Sequence, residues 1–341
     1  MKDLTSESNG LDNVAVVNAL TTFVNKVLSG NIPNEVKPFF FGANLTALNK
    51  KTGGVRPIAV GNTLRRLSAK CAGYCVKDAR TASYRNIQLG YGTPRGAEAA
   101  AHAVRQYVCN NNQATRVMFK IDFNNAFNSL NRETILKNVA SNNPSIFPFT
   151  SAAYGQSSFL FFGDRIILSK TGAQQGDPEG SPLFADTVQP IANEVTCEVN
   201  IWYLDDANLA DEFPVVLENF VAIQRAALQI GLTINPSKCE LIFLGDPDPA
   251  LRNQILSAFR EVCPSVQVTD KSDLVVLGAP IGFNAIEKCL EEKFCNFEKM
   301  ELNLKSIDAH YALFLLKNCF RMPKFLYYLR ASPCFLFDDI M

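Results

Sequence analysis

The chain has 341 residues, room for two or three compact units at roughly 150 residues each. Thirty-three Lys and Arg balance thirty-three Asp and Glu, so the formal net charge is zero, and 47% of the residues are hydrophobic. That composition excludes wholesale disorder. Taken at face value, zero net charge also argues against a sequence-blind polyanion binder, which usually carries a basic surplus.

Residues 1–40 are mixed, with Val17, Leu20, Val24 and Val27 at helical spacing before Pro33 and Pro38 break the pattern. Residues 39–49 read as a strand, Lys50–Gly54 as a turn, and Val55–Val60 as a second strand, together a hairpin. Residues 62–85 and Gly96–Asn110 have helical period. Arg116–Phe123 alternates like a half-buried strand that ends in an acid. A helix follows over 131–141, then a hairpin over Phe159–Lys170 turning at Gly163–Asp164. Residues 181–198 read as a helix with Pro182 in its first turn. Val199–Leu209 reads as strand, acidic turn and strand. Residues 214–230 form an amphipathic helix stopped by Gly231, and Leu241–Gly245 is a strand. The remainder predicts two or three helices, with one strand near Leu274–Pro280. The organisation is α+β, without internal repeats.

The N-terminal residues are polar, so no secretory signal is expected, and no apolar run reaches about 18 residues, so no membrane span is expected. There are ten cysteines, no C-x-x-C pair, and only two histidines, His102 and His310. This pattern predicts core cysteines in a reducing compartment rather than a zinc site or a disulfide framework.

The zero balance hides segregation. Residues 41–110 carry eleven cations against two acids, and residues 201–250 carry eight acids against two cations. Such a pair of segments suits an enzyme that grips phosphates with one and metal ions with the other; two solvated faces are the plainer reading. Within the acidic segment, Asp205 and Asp206 follow the apolar strand Val199–Leu204, and Asp122 ends another strand. Adjacent carboxylates raise each other's pKa, and a divalent cation relieves that repulsion. Acids from two strands can hold two ions about 3.5–4 Å apart, the geometry of in-line phosphoryl transfer. A surface turn that happens to carry two acids is the alternative.

These residues resemble a known family. Tyr203-Leu204-Asp205-Asp206 is similar to the Tyr-x-Asp-Asp box of reverse transcriptases. Phe119–Ser129 resembles their first catalytic motif, and Gln174–Pro182 resembles their Gln-Gly-Asp-Pro-x-Gly-x-Pro loop. Gly231–Lys238, Lys51–Leu67 with its Arg-Pro-Ile, and Leu277-Gly278 complete six motifs in the family's order across residues 40–282. The Gly-Asp-Pro loop and the Asn-Ala-Phe-Asn run resemble the non-LTR retrotransposon type.

The resemblance implies a right-hand polymerase fold. It divides the chain into an N-terminal helical extension (1–38), fingers (39–115), a palm (116–282) whose antiparallel sheet carries helices on one face, and a short helical thumb or truncated region (283–341). It implies RNA-directed DNA synthesis on an RNA template from a DNA or RNA primer, with dNTPs as substrates, inside the cell and in the nucleus at the time of action. Asp122, Asp205 and Asp206 would hold two Mg²⁺ ions, with Mn²⁺ as a substitute. Lys51 and Arg56 would grip the triphosphate, and the backbone of Phe123 would lie beside it. Phe127 would sit under the sugar and select dNTPs; as a plain core residue it would pack at helical spacing with Ala126 and Leu130. Gln175 and Gly176 would line the nucleotide pocket, Gly176 by letting backbone approach the base pair. Lys238 would protonate the leaving pyrophosphate, or simply be a solvated lysine near Pro236. Arg65 and Arg66 read as template-backbone contacts or surface charge. Glu179 departs from the motif and would bring a negative charge near the template or point outward. No endonuclease is recognisable. Other readings are a catalytically inactive, domesticated nucleic-acid-binding protein and, against the Arg56 hairpin and the Gln175 loop, a metal-dependent phosphohydrolase.

Overall fold

A computed structural model describes residues 13–49, 53–84, 86–320 and 322–336. In chain order the strands are β1 (Ala43–Asn49), β2 (Val55–Gly61), β3 (Arg116–Ile121), β4 (Ser158–Phe162), β5 (Arg165–Ser169), β6 (Val199–Tyr203), β7 (Asp206–Glu212), β8 (Glu240–Phe243), β9 (Gln267–Val268), β10 (Val275–Val276) and β11 (Ala279–Pro280). The chain divides into two compact units. One takes the described parts of Met1–Arg85 with Phe123–Asn193 and Arg225–Thr233; the other takes Asn86–Asp122, Glu194–Gln224 and the described parts of Ile234–Met341.

The first unit holds a four-stranded sheet in the order β2-β1-β4-β5. β1 and β2 form the expected hairpin, and β4 and β5 form the second one around Gly163–Asp164. The strand expected to begin at Phe39 begins at Ala43 instead. Lys37–Phe40 forms a helical turn after Val36, with Pro38 in its first positions, and Phe41 is buried. Residues Phe147–Tyr154 add a helix that the sequence pattern does not single out.

Polar side chains organise the interior of this unit. On the helix Thr63–Tyr84, Arg65, Ala69, Ala72, Val76 and Arg80 share the buried face. Arg65 is thus neither a surface charge nor a template contact. It ion-pairs with Asp177 and donates to Gln174 Oε1 at 2.7 Å, while the Tyr154 hydroxyl donates to Asp177 at 2.8 Å. Arg80 reaches Glu179 at 2.9 Å and Asp186 at 2.8 Å, and the Tyr84 hydroxyl donates to Asp186 at 2.6 Å. Glu179, 1% exposed, therefore points neither outward nor at a template. Arg132 donates to the carbonyls of Ser169 and Gly172 at 2.8 and 3.0 Å. These contacts tie the segment Gly172–Gly180 and the following helix, Gly180–Asn193, to the rest of the unit. That helix ends five residues before the expected boundary.

The second unit holds a five-stranded sheet in the order β6-β7-β3-β8-β9, antiparallel except where β9 joins β8. Its central strand is buried on both faces rather than half-buried. Met118 packs with Val104 and Val108 of the helix Gly96–Asn110 and with Ile242. Phe119, which points the opposite way, packs against Phe220 at 4.7 Å and Phe259 at 5.0 Å. Those rings belong to the helices Phe213–Gln229 and Pro249–Val262. The two helices within the expected palm thus share one face of this sheet, and the helix Gly96–Asn110, from the expected fingers, covers the other, because consecutive large apolar residues on β3 each need cover. The single strand expected near Leu274–Pro280 is a small hairpin of β10 and β11. Helices Phe283–Leu304, Ala309–Leu315 and Met322–Ala331 follow. The last is tied to the helix Gly96–Asn110 by an Arg330–Glu98 ion pair at 2.8 Å.

The cysteines are free. Cys197, Cys239, Cys263 and Cys334 lie in the core, whereas Cys75, Cys109, Cys295 and Cys319 are exposed, so core packing accounts for only part of the set. Among the described residues, no helix is long and apolar enough to cross a membrane.

The Arg80 cluster sets one guanidinium against two buried carboxylates. Burial pushes the Glu179 carboxyl up to about 7, against the pull of Arg80. Removing the cation leaves both carboxylates uncompensated, so Arg80→Ala should cost about 3–5 kcal/mol in urea denaturation at neutral pH. A carboxyl whose folded pKa is raised above its unfolded value destabilises the fold as pH rises between the two values. The Arg80→Ala penalty should therefore shrink as the pH falls below about 7, where Glu179 takes up a proton, and the raised pKa of Asp186 acts in the same direction. A pH-independent penalty would show that the carboxylates do not depend on Arg80.

Candidate active site

The acidic hairpin is built on β6 and β7. Tyr203 pairs with Asp206 across the strands, which leaves Leu204 and Asp205 as a two-residue turn. Leu204 has φ of +58°, a left-handed conformation that costs a non-glycine residue roughly 1–2 kcal/mol. The neighbouring segment Asn86–Gly90 holds the turn in place. Trp202 N donates to Ile87 O, and Leu89 N donates to Trp202 O, each at 2.8 Å, so this segment runs beside β6 like a further strand. Gln88, fully buried, turns its Oε1 onto the turn and accepts from Leu204 N at 2.8 Å and Gly90 N at 3.1 Å. Gly90 must be glycine, since a Cβ there would lie 2.7 Å from Leu204 Cγ.

The pairing of β3 with β7 ends at Ile121 and Ala207, and one further step sets Asp122 beside Asp206. Asp122 is braced from behind by Asn235 N, which donates to its carbonyl at 2.8 Å. Asp122 Oδ1 is buried and accepts no hydrogen bond; Lys238 Nζ stands 3.7 Å from it. Asp206 opens to a cleft, yet burial of its carboxyl, then the charges of Asp205 and Asp122, push its pKa up to about 6. Lys120 and Lys238 act in the opposite direction. Lys120 is itself held, 2.6 Å from Glu240 and donating to Val275 O at 3.0 Å. The cleft encloses about 590 Å³, and Lys120, Tyr203, Asp206, Asn208, Leu277 and Tyr327 line it. Leu277 and Gly278 form the turn of the β10–β11 hairpin, both with positive φ, and the Tyr327 hydroxyl donates to Leu277 O at 2.9 Å.

The structure therefore brings Asp122, Asp205, Asp206 and Lys238 together in the second unit. Crowded carboxylate oxygens, one of them buried without a donor, are a hard donor set that suits Mg²⁺ or Mn²⁺. Among the described residues, no group of three or more His, Cys, Asp or Glu side chains is placed to hold a metal ion. An ion held here would take its other oxygens from water or phosphate, as Mg²⁺ commonly does.

The other candidate residues belong to the first unit. Arg56 is exposed on β2, opposite Leu48, and Lys51 lies outside the described residues. Phe123 is buried. Phe127 is 8% exposed and its ring stacks on Phe184 at 4.6 Å, so it packs as a core residue does. Gln175 O accepts from Ala59 N at 2.7 Å, while Gln175 Oε1 is buried without a donor. Gly176 has φ of +113°, and a Cβ there would lie 2.6 Å from Ala59 O. The backbone that its small size admits is therefore that of β2.

The sequence matches the family described as reverse transcriptase (RNA-dependent DNA polymerase) over residues 48–281. No curated protein matches it. Similar solved structures include an apo telomerase from Candida tropicalis, at 11% identity and TM-score 0.46, covering 67% of this chain and 49% of that one. A C-terminally truncated form of that telomerase matches at 14% identity and TM-score 0.46, covering 69% and 57%. An insertion-loop deletion mutant of the RNA-dependent RNA polymerase of a human picobirnavirus matches at 12% identity and TM-score 0.44, covering 59% and 42%. The chain spans about half the length of these structures.

Sequence pattern alone did not find Gln88; its only local signal is a glutamine two residues before a glycine. Gln88→Leu keeps the volume but leaves the amides of Leu204 and Gly90 without their acceptor. Each buried unsatisfied group costs about 1–3 kcal/mol. Hydrogen exchange at Leu204 should accelerate by at least tenfold, with a smaller fall in global stability. Unchanged exchange at Leu204 would show that Gln88 does not hold the turn.

Proposed function

For a chain that belongs to the reverse transcriptase family and has an α+β fold of the right-hand polymerase class, we propose that it copies an RNA template into DNA. It would extend the 3′-hydroxyl of a DNA or RNA primer with dNTPs. The observation that carries this reading is Asp122 Oδ1, buried without a hydrogen bond and in register beside Asp206, with Asp205 on the adjoining turn.

On this reading Asp122, Asp205 and Asp206 would hold two Mg²⁺ ions, or Mn²⁺ in their place, and these would supply charge neutralisation for the triphosphate and a more acidic primer hydroxyl. The protein's part is placement and proton supply. Gln88 fixes the turn before any substrate arrives, so the acids need little reorganisation. Lys238 Nζ, exposed and 3.7 Å from Asp122, carries the proton that the leaving pyrophosphate takes up. Arg56 and Lys51 would hold the triphosphate, Arg56 through a planar bidentate fork. Phe123, Phe127, Gln175 and Gly176 would shape the nucleotide's surroundings. The aromatic ring of Phe127 would exclude a 2′-hydroxyl.

Descent from a non-LTR retrotransposon is supported by the Gly-Asp-Pro loop and the Asn-Ala-Phe-Asn run. Glu179, the departure from the motif that would favour an inert protein, is paired with Arg80 inside the first unit.

Primer extension on poly(rA)/oligo(dT) with dTTP and Mg²⁺ or Mn²⁺ tests the proposal. Folded wild-type protein should extend the primer. Asp122→Asn and Asp205→Asn should each lose on the order of 10²–10³-fold or more in rate. Absence of product, or equal product from Asp205→Asn, overturns it. Lys238→Ala should slow the chemical step by about 10²–10⁴-fold with little change in nucleotide affinity. A loss confined to affinity would make Lys238 a binding group rather than a proton donor.

A further inference from the structure

We infer that the open edge of β5 is a self-association surface, on which a second copy of this chain pairs antiparallel about a twofold axis at Ile167. β5 is the last strand of the first unit's sheet. Ile166, Ile167 and Leu168 are 59, 45 and 47% exposed. Neighbouring residues on a strand point to opposite faces, so the edge is apolar on both.

The backbone is equally open. In a two-residue hairpin the pair flanking the turn, here Phe162 and Arg165, is hydrogen-bonded, and the bonded pairs then alternate. Arg165, Ile167 and Ser169 therefore direct their amides and carbonyls toward β4, while Ile166 and Leu168 direct theirs outward. Natural sheets usually blunt such an edge. The opposite edge, β2, is blunted in two ways. Pro57 has no N–H, and Ala59 N is bonded to Gln175 O at 2.7 Å. No proline and no covering segment protects β5 among the described residues.

The choice of a second copy rests on charge and register. In a twofold pairing centred on Ile167, Ile166 faces Leu168 of the second copy, and their outward-facing groups complete each other's hydrogen bonds. Arg165 faces Ser169, so no cations oppose one another. Just beyond the paired strands, the turn residue Asp164 lies at the end to which the second copy brings Lys170, which sets opposite charges near each other at each end. Both are exposed, and neither forms an ion pair within the described chain. The joined edges would make one eight-stranded sheet. Two short strands bury much less than the roughly 1,200–2,000 Å² of a stable interface, so the association is reversible and concentration-dependent.

Sedimentation velocity of the full chain, across roughly 1–100 µM, reads this out. The wild type should pass reversibly from monomer to dimer. Ile167→Lys sets two cations against each other on the axis and should stay monomeric throughout, with an unchanged melting temperature because the site is exposed. Asp164→Lys and Lys170→Asp should each weaken the dimer by about threefold to tenfold, and the double exchange Asp164→Lys with Lys170→Asp should restore it. A wild type that is monomeric at every concentration overturns the inference. So does a dimer that survives Ile167→Lys, or open-ended aggregation in place of a dimer. Single variants that weaken the dimer without rescue by the double exchange overturn the register.

Discussion

Asp122 and Asp205 both act on the carboxyl of Asp206 in the second unit, and the local backbone is arranged to hold the three acids near one another. The β3–β7 register sets Asp122 next to Asp206. A two-residue turn keeps Asp205 adjacent. Each device acts through the main chain, which cannot relax as a side chain can. Burial first, and then the charges of Asp205 and Asp122, raise the Asp206 pKa, while Asp122 Oδ1 stays buried without a hydrogen bond. That is a costly arrangement for a bare protein.

The same constraint explains the strained leucines. Leu204 and Leu277 both adopt left-handed φ, at +58° and +50°. Each lies in a hairpin turn against the cleft, and each is held by a bond from outside its hairpin: the Leu204 amide by Gln88, and the Leu277 carbonyl by Tyr327. Strain of this size persists only where surrounding contacts over-determine it. Glycine would have been easier in either turn. Leucine gives the turn less freedom, because fewer conformations compete with the one observed.

Most elements were legible in the sequence because their signals are local. The β4–β5 hairpin announced itself through Gly163–Asp164, and the helix Phe213–Gln229 through its period and Gly231. The acids were legible through their strand context and the order of the motifs. The internal partnerships were not. Arg65 and Arg80 share a helical face with alanines, which reads as amphipathic only if arginine is allowed inside. Their partners Asp177, Glu179 and Asp186 lie about a hundred residues away, so no spacing rule connects them. Gln88 is hidden for the same reason: its role depends on a bond to Leu204, more than a hundred positions later. Burial of β3 on both faces was obscured by Lys120, which interrupts the apolar run but is itself tied to Glu240.

The buried arginines also change what the zero net charge means. The cation-rich segment 41–110 looked like a reserve of phosphate-binding charge. Arg65 and Arg80 are consumed inside the first unit by Asp177, Glu179 and Asp186, and are unavailable to any polyanion. Arg56, Arg66, Lys70, Lys77 and Arg95 remain exposed. A buried ion pair is weak evidence for stability, since an apolar replacement often does as well. Its value here is geometric. Arginine's planar fork fixes two acceptors at once, and Arg80 engages residues on either side of the start of the helix Gly180–Asn193. The charge of segment 41–110 is therefore divided, and only its exposed fraction is available to a polyanion. The salt slope of any polyanion binding follows the number of phosphates neutralised, so it is set by these exposed cations and not by the number of cations in the sequence.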